Sequence, residues 1–402
     1  MVAPSFDNLS GCSDVHTLRI SRRRRSFTHS TIDAFLDHIF QIRSLLGAML
    51  LSFLLFLHVI FIIPPCGATV NSALLATLER VSGYAAAAYC RTNYRSGADL
   101  PATFPPNTFD QDGFCEIVHS FLNVNEHDTS GLIMLDHTNE AIIITFRGTI
   151  SHTDWNTNLE GLQYDASDIC GEGCIAHSGF LASWESVADN VKSNWTSVLQ
   201  QYPQYDTIIT GHSLGGTLAH ICAASLKKMR PNATMSLYTY ASPRVGNLIF
   251  ANSINEGFGN NNHRVTHLND PVPRLLGRLF GFDHTSPEYH ITSPHIRKAL
   301  SANKKTLAKP ANLVVAADDI LVLPGPENEA GSLRYSCTNI EMHDEYFIHI
   351  AACAVDSKTS LLSSKSHTAC ISDPEYPADV WTGFAIVSRC LEVRIMHALA
   401  DY

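Results

Sequence analysis

The segment that most constrains the fold begins at Tyr205, where YDTIIT runs into Gly211-His212-Ser213-Leu214-Gly215-Gly216 and then an alanine-rich stretch through about Lys228. A short β-branched run, a glycine-bounded serine and a small-residue helix read as strand, tight turn and helix. Such a turn strains the serine backbone, and the flanking glycines leave room for the close approach it requires. In return the hydroxyl stands at a helix N-terminus, where the Leu214 N–H and the aligned helix amides face any negative charge developing on an attacked carbonyl. The pattern points to Ser213 as a nucleophile, with Gly216 permitting tight helix–sheet packing.

The surrounding chain alternates in the same way. A helix is predicted over Leu74–Arg91 and strands over Thr129–Asp136 and Glu140–Arg147, joined at His137–Asn139 by a hairpin turn. Phe180–Leu199 reads as one amphipathic helix. Further strands are expected at Met235–Tyr240, Arg264–Leu268, Asn312–Val315 and Ile320–Leu323. Strands separated by helices predict an α/β fold with a central, mostly parallel sheet flanked by helices, and no linker divides residues 74–353.

Ahead of this body, Leu45–Ile63 is a nineteen-residue run without formal charge, closed by Pro64-Pro65 and the small residues of Cys66-Gly67-Ala68. It reads as a signal peptide, with Met49 as a natural start and cleavage near Ala68. The alternative is an uncleaved anchor through residues 45–63, oriented by Arg22–Arg25 and Arg43. Both readings send the body into the secretory pathway, to a secreted location or to a membrane surface. There Asn194-Trp195-Thr196 and Asn232-Ala233-Thr234 become N-glycosylation acceptors, and disulfides are expected among the 11 cysteines. A net charge of −10 excludes nucleic-acid wrapping, and no Cys/His spacing suits a structural metal.

A serine nucleophile needs a base, and the base needs an orienting acid, in the chain order serine, acid, histidine. Asp270 leads Asp283, Asp318 and Asp319 because it follows a strand and precedes Pro271, which places it at the carboxyl end of that strand. Asp318 and Asp319 precede a strand, which in a parallel sheet puts them at the opposite rim. The histidines after the acid are His284, His290, His295, His343, His349, His367 and His397. Spacing alone does not choose among them.

Taken together, AAAAYC (85–90), FRGT and DWNTNL (146–159), DIC…C…HSGF (168–180), GHSLGG (211–216), YASPRVGN (240–247), THLNDPVPRL (266–275), HTSPEYHI (284–291) and HDEYF…C (343–353) resemble the secreted filamentous-fungal lipases. That class 3 lipase family also contains feruloyl esterases and has the α/β-hydrolase fold. The resemblance spans about Leu74 to Cys353. It implies a catalytic domain over residues 69–353, between an N-terminal extension (1–68) and a C-terminal extension (354–402) without an assigned role. It further implies Ser213 as nucleophile, Asp270 as acid, His343 as base, and an oxyanion hole from the Thr149 and Leu214 amides. Disulfides Cys90–Cys353 and Cys170–Cys174 follow from the same likeness, whereas Cys115 matches one half of a third pair with no evident partner.

The implied activity is hydrolysis of carboxylic esters, acylglycerols foremost, by a monomer needing no cofactor or metal and making transient contact with a lipid surface. The lid would fall on Ser151, His152, Thr153, Asp154, Trp155, Asn156, Thr157 and Asn158, seven of them polar. So polar a lid predicts weak interfacial activation and a preference for shorter or more soluble esters, which keeps a general or feruloyl esterase as the alternative. A non-catalytic binding module is the third reading. Intact candidates at all three triad positions speak against it.

Overall fold

Ala141–Phe146 (AIIITF) is buried along its whole length, as a strand must be when both faces of its sheet are covered. The computed structural model describes residues 68–94, 100–105, 115–124, 128–149, 163–293 and 315–354, all within the compact unit Gly67–Tyr402. In chain order the strands are β1 (Ala68–Thr69), β2 (Leu100–Pro101), β3 (Cys115–Val124), β4 (Thr129–Asp136), β5 (Ala141–Phe146), β6 (Gln163–Asp165) and β7 (Ile175–His177). They continue with β8 (Asp206–His212), β9 (Met235–Tyr240), β10 (Asn262–His267), β11 (Glu288–Ile291), β12 (Ile320–Leu323), β13 (Glu345–Tyr346) and β14 (Ile348–His349). The main helices are α1 (Ser72–Ala87), α2 (Ser178–Glu185), α3 (Ala188–Gln201), α4 (Leu214–Met229) and α5 (Leu248–Phe258).

Ten strands form one sheet in the order β1-β12-β11-β10-β9-β8-β5-β4-β3-β2. The central five, β11 to β5, are parallel, while the flanking strands on both sides pair antiparallel. The sheet is therefore mixed, parallel where the serine turn sits. Alternation along the strands divides the core in two. Ile133, Leu135, Ile142, Ile144 and Phe146 pack under α2–α5, whereas Leu132, Met134, Ala141 and Ile143 face α1 and the segment Tyr346–Ile350.

Three expectations need correction. The predicted helix over Phe180–Leu199 is two helices, α2 and α3. Ser183 and Ser186 turn their hydroxyls back onto the carbonyls of Gly179 and Ser183, and Val187 leaves helical backbone at φ −124°, ψ −6°. The strand expected at Asn312–Val315 is not borne out at Val315, which is buried but in no strand; Asn312, Leu313 and Val314 lie outside the described residues. Finally, β12 runs antiparallel to β11 and pairs Ile320 with Ile291, so Asp318 and Asp319 lie at the same rim as the carboxyl ends of the parallel strands. The argument that placed them at the opposite rim fails, although Asp319 is occupied locally in capping the Ala316 N–H at 2.8 Å. The membrane question for residues 45–63 lies outside the described residues, among which no helix is long and apolar enough to cross a membrane.

Candidate active site

Ser213 stands between β8 and α4 at φ 62°, ψ −129°, a conformation costly for a residue with a side chain. Its N–H donates to the Tyr240 carbonyl at the end of β9, 2.9 Å away. Close approach explains the two flanking glycines. A Cβ on Gly211 would collide with the Gly215 carbonyl, and one on Gly215 with the Phe146 carbonyl at the end of β5. The serine is thus fixed over the carboxyl ends of three adjacent parallel strands.

Asp270 follows β10 after a sharp bend at Leu268, φ 38°. Its N–H donates to the His267 carbonyl at 3.1 Å, and Pro271 leads into the 3₁₀ turn Val272–Arg274. His343 ends another 3₁₀ turn, Ile340–His343, capped by the Asn339 side chain. The Asn339 N–H donates to the Asn269 carbonyl at 3.0 Å, tying this turn to the residue before the acid.

The three side chains meet. His343 Nε2 lies 2.9 Å from Ser213 Oγ, and Nδ1 lies 3.1 and 3.2 Å from the two Asp270 oxygens. A carboxylate only accepts, so Nδ1 carries the proton and Nε2 is left to accept from the serine hydroxyl. Asp270 also accepts from Tyr346 Oη at 2.7 Å and from the Val272 N–H at 2.9 Å. Burial and the Asp270 charge hold the Tyr346 phenol well above its ordinary range, so it remains a donor. Ser213, Asp270 and His343 are each no more than 2% exposed.

Of the two expected oxyanion donors, Leu214 directly follows this serine, and Thr149 follows Gly148, which lies against it. Leu214 opens α4, and a Cβ on Gly148 would sit 3.0 Å from Ser213 Cβ, so the segment leading to half-buried Thr149 runs beside the nucleophile. The lid residues Ser151, His152, Thr153, Asp154, Trp155, Asn156, Thr157 and Asn158 lie outside the described residues.

The remaining candidates are engaged elsewhere. Buried His284 donates Nε2 to the Pro273 carbonyl at 2.6 Å, and His290 bonds Thr266 at 2.9 Å. His349 pairs with Glu345 at 3.3 Å, and Asp283 with Arg278 at 3.0 Å. His295, His367 and His397 lie outside the described residues. Cys90 is joined to Cys353, and Cys170 to Cys174; Cys337 is also disulfide-bonded. Cys115 is a buried free thiol, pushed up to about 12 by burial and by Asp136.

Sequence reasoning missed two residues of the site. Tyr346 carries a weak signal, three positions after His343. His212 carries none, because the position before the serine in G-x-S-x-G tolerates many side chains. His212 lies with its ring centroid 4.6 Å from that of His343, its Nε2 2.7 Å from the His343 carbonyl and its Nδ1 2.8 Å from Tyr89 Oη.

A serine on a strand–helix turn, backed by a histidine and an aspartate over the carboxyl ends of a central parallel sheet, defines a serine hydrolase of the α/β-hydrolase class. The comparisons narrow this to a family. Residues 143–280 match the family model described as Lipase (class 3). A secreted mono- and diacylglycerol lipase A from Penicillium cyclopium is 36% identical over 240 residues, 59% of this chain and 72% of that protein. A lipase from Rhizomucor miehei is 32% identical over 185 residues, 45% of this chain and 50% of that one. The crystal structure of a mono- and diacylglycerol lipase from Aspergillus oryzae superposes with a TM-score of 0.61 at 31% identity, covering 71% of this chain and 99% of that one. The chain belongs to the class 3 lipases, a family of carboxylic ester hydrolases.

Proposed function

We propose that this chain is a secreted, monomeric acylglycerol lipase whose catalytic domain spans residues 69–353, with Ser213 as nucleophile, His343 as general base and Asp270 as its orienting acid. The observation that carries the reading is the continuous bonding from Ser213 Oγ through both His343 nitrogens to Asp270. His343 Nε2 takes the serine proton as Oγ attacks the ester carbonyl, and the Asp270 carboxylate stabilises the imidazolium that forms. The Thr149 and Leu214 amides hold the oxyanion, each donor contributing ~3–4 kcal/mol to the transition state. His343 then passes its proton to the leaving glycerol oxygen, and water, deprotonated by the same imidazole, releases the fatty acid.

Acylglycerols are favoured because relatives 36% identical to this chain are named mono- and diacylglycerol lipases. The specific observation behind the second reading, a short-chain or feruloyl esterase, is the polar stretch Ser151–Asn158, with Trp155 its only large apolar group. A nucleophile only 2% exposed requires an opening motion before a lipid reaches it. With a polar lid, that opening gains little from an oil–water interface.

The test is turnover of p-nitrophenyl butyrate, octanoate and palmitate beside diolein and triolein emulsions, with Ser213→Ala as the control. Release of fatty acid from the glycerides, lost in the variant, supports the lipase. Rates confined to butyrate and to feruloyl esters favour the second reading, and no turnover of any ester refutes both.

A further inference from the structure

Among the described residues eight large apolar side chains stand exposed, and five of them, Tyr164, Leu248, Ile249, Leu279 and Phe280, gather around the β6–β7 hairpin. Gln163 in β6 donates to the Phe280 carbonyl at 2.5 Å. Asn247, which caps α5 just ahead of Leu248 and Ile249, donates its N–H to the Ile175 carbonyl in β7 at 2.9 Å.

The segment bearing Leu279 and Phe280 is pinned on both sides to the chain that leaves the carboxyl end of β9, beside Ser213. Arg244 donates to the carbonyls of Arg274 and Leu275, each at 3.1 Å. The Asp283 N–H donates to the Gly246 carbonyl at 2.9 Å. Between these pins the 3₁₀ turn Arg278–Phe280 projects with Leu279 93% and Phe280 70% exposed.

We propose that this turn is a lipid anchor: Leu279 and Phe280 insert among the acyl chains of a lipid surface and hold the catalytic rim against it. The inference rests on the acylglycerol reading above, because a water-insoluble ester presents such a surface. The shape favours fluid lipid over a protein partner. A leucine 93% exposed touches almost none of its own protein, so the turn is a point, whereas a protein interface buries a broad patch of ~800 Å² per partner. A point is best matched by a medium that closes around it.

The charge agrees. Arg278, the cation of the turn, is paired with Asp283 at 3.0 Å, so the turn brings no unpaired charge to the interface. Leucine and phenylalanine supply the apolar area, and the long arginine stem can lie along the boundary with its head in water. Tyr164, Leu248 and Ile249 form a shallower apolar surround. This anchor is distant in sequence from the polar stretch Ser151–Asn158 and would supply the lipid affinity that so polar a composition lacks.

The test compares the full chain with Leu279→Ser/Phe280→Ser and with a control, Leu122→Ser/Met229→Ser, which removes two other exposed apolar side chains. Residues 45–63 are present in every variant, so their contribution cancels. Partition onto neutral phosphatidylcholine vesicles is read by sedimentation, and turnover of monomeric p-nitrophenyl butyrate is read in parallel. The proposal expects partition to fall by roughly tenfold in the anchor variant alone, with soluble turnover unchanged within about twofold. Equal partition of the anchor variant and the unaltered chain would overturn it, as would an equal loss in the control. If the unaltered chain dimerises without lipid and the anchor variant does not, the patch is a protein interface and the proposal also falls. A failure of the lipase reading is distinct from all of these, because the unaltered chain would then release no fatty acid from glycerides.

Discussion

His212 donates its Nε2–H to the main-chain carbonyl of His343 across 2.7 Å, so the residue before the nucleophile holds the backbone of the proposed base. A carbonyl only accepts, which fixes the His212 tautomer and leaves Nδ1 to accept from Tyr89 Oη at 2.8 Å. The Tyr89 oxygen also packs against Gly148, where an added Cβ would collide with it, one residue before the proposed oxyanion donor Thr149. One buried phenol thereby joins the base side of the site to the oxyanion side.

Tyr89→Phe removes the hinge of that arrangement while keeping its volume. We expect kcat on p-nitrophenyl butyrate to fall roughly tenfold with KM nearly unchanged, because geometry rather than substrate contact is lost. Steady-state kinetics decide it, and an unaltered kcat would show that His343 is held adequately without Tyr89.

The Cys90–Cys353 disulfide fastens the residue next to Tyr89 to the far end of the described chain, 263 positions away. Closing so long a loop stabilises the fold by ~5 kcal/mol on chain-entropy grounds. Replacing both cysteines with serine should lower the unfolding free energy by a value of that order in denaturant titration. A change below ~1 kcal/mol would mean that core packing alone fixes α1.

Stability should fall on acidification in two stages. Burial holds the imidazoles of His177, His220, His263 and His290 at about 4, against an ordinary 6.5. Between those values the unfolded chain binds protons that the folded chain does not, so this contribution is complete above pH 6.5 and is lost as pH falls toward 4. Glu288 behaves in the same sense at lower pH. Burial alone would raise it, but Arg264, His290, Thr266 and the Ser332 N–H outweigh that and hold it at about 2. Its contribution is complete above about pH 4.5 and is lost as pH falls toward 2. Thermal melts from pH 8 to 2 should show Tm declining already below pH 6.5; a flat Tm down to pH 4.5 contradicts the histidine stage.

Glu288 also neutralises Arg264, which is 1% exposed and lies 3.5 Å from its carboxylate. Glu288→Gln leaves a buried cation without its counter-charge and should destabilise the fold by ~3–5 kcal/mol. Denaturant titration at pH 7 measures it, and a loss under ~1 kcal/mol would show that Arg264 is compensated elsewhere.

The two N-glycosylation motifs occupy different settings. Asn232 lies in an exposed turn between α4 and β9. Asn194 is half-buried within α3, its amide bonded to the Asn190 carbonyl at 2.9 Å, and the next residue, Trp195, is fully buried. Asn232→Gln should remove a glycosidase-sensitive mass from the secreted protein and Asn194→Gln should not; the reverse pattern contradicts this.

Much of this was legible before any coordinates. Strands such as Met235–Tyr240 and Ile320–Leu323 announce themselves because their apolar runs end abruptly in turn residues. The serine turn was legible because only glycine tolerates the close contacts at Gly211 and Gly215. The single helix read across Ser186 was not, because the serine hydroxyls that break it look like ordinary polar-face residues in sequence. Antiparallel β12 was also hidden, since strand direction is set by the route of the chain rather than by composition. Among the site residues, Asp270 had a local argument in its proline. His343 had only the family resemblance, because a histidine in a short turn leaves no periodic trace.

The most direct measurement is the site of covalent capture by a fluorophosphonate, read by mass spectrometry of the full chain and of His343→Ala. We predict one stoichiometric phosphonyl adduct on the peptide containing Ser213, formed far more slowly in the histidine variant. A folded chain that takes up no adduct, or takes it on another residue, would contradict Ser213 as the nucleophile.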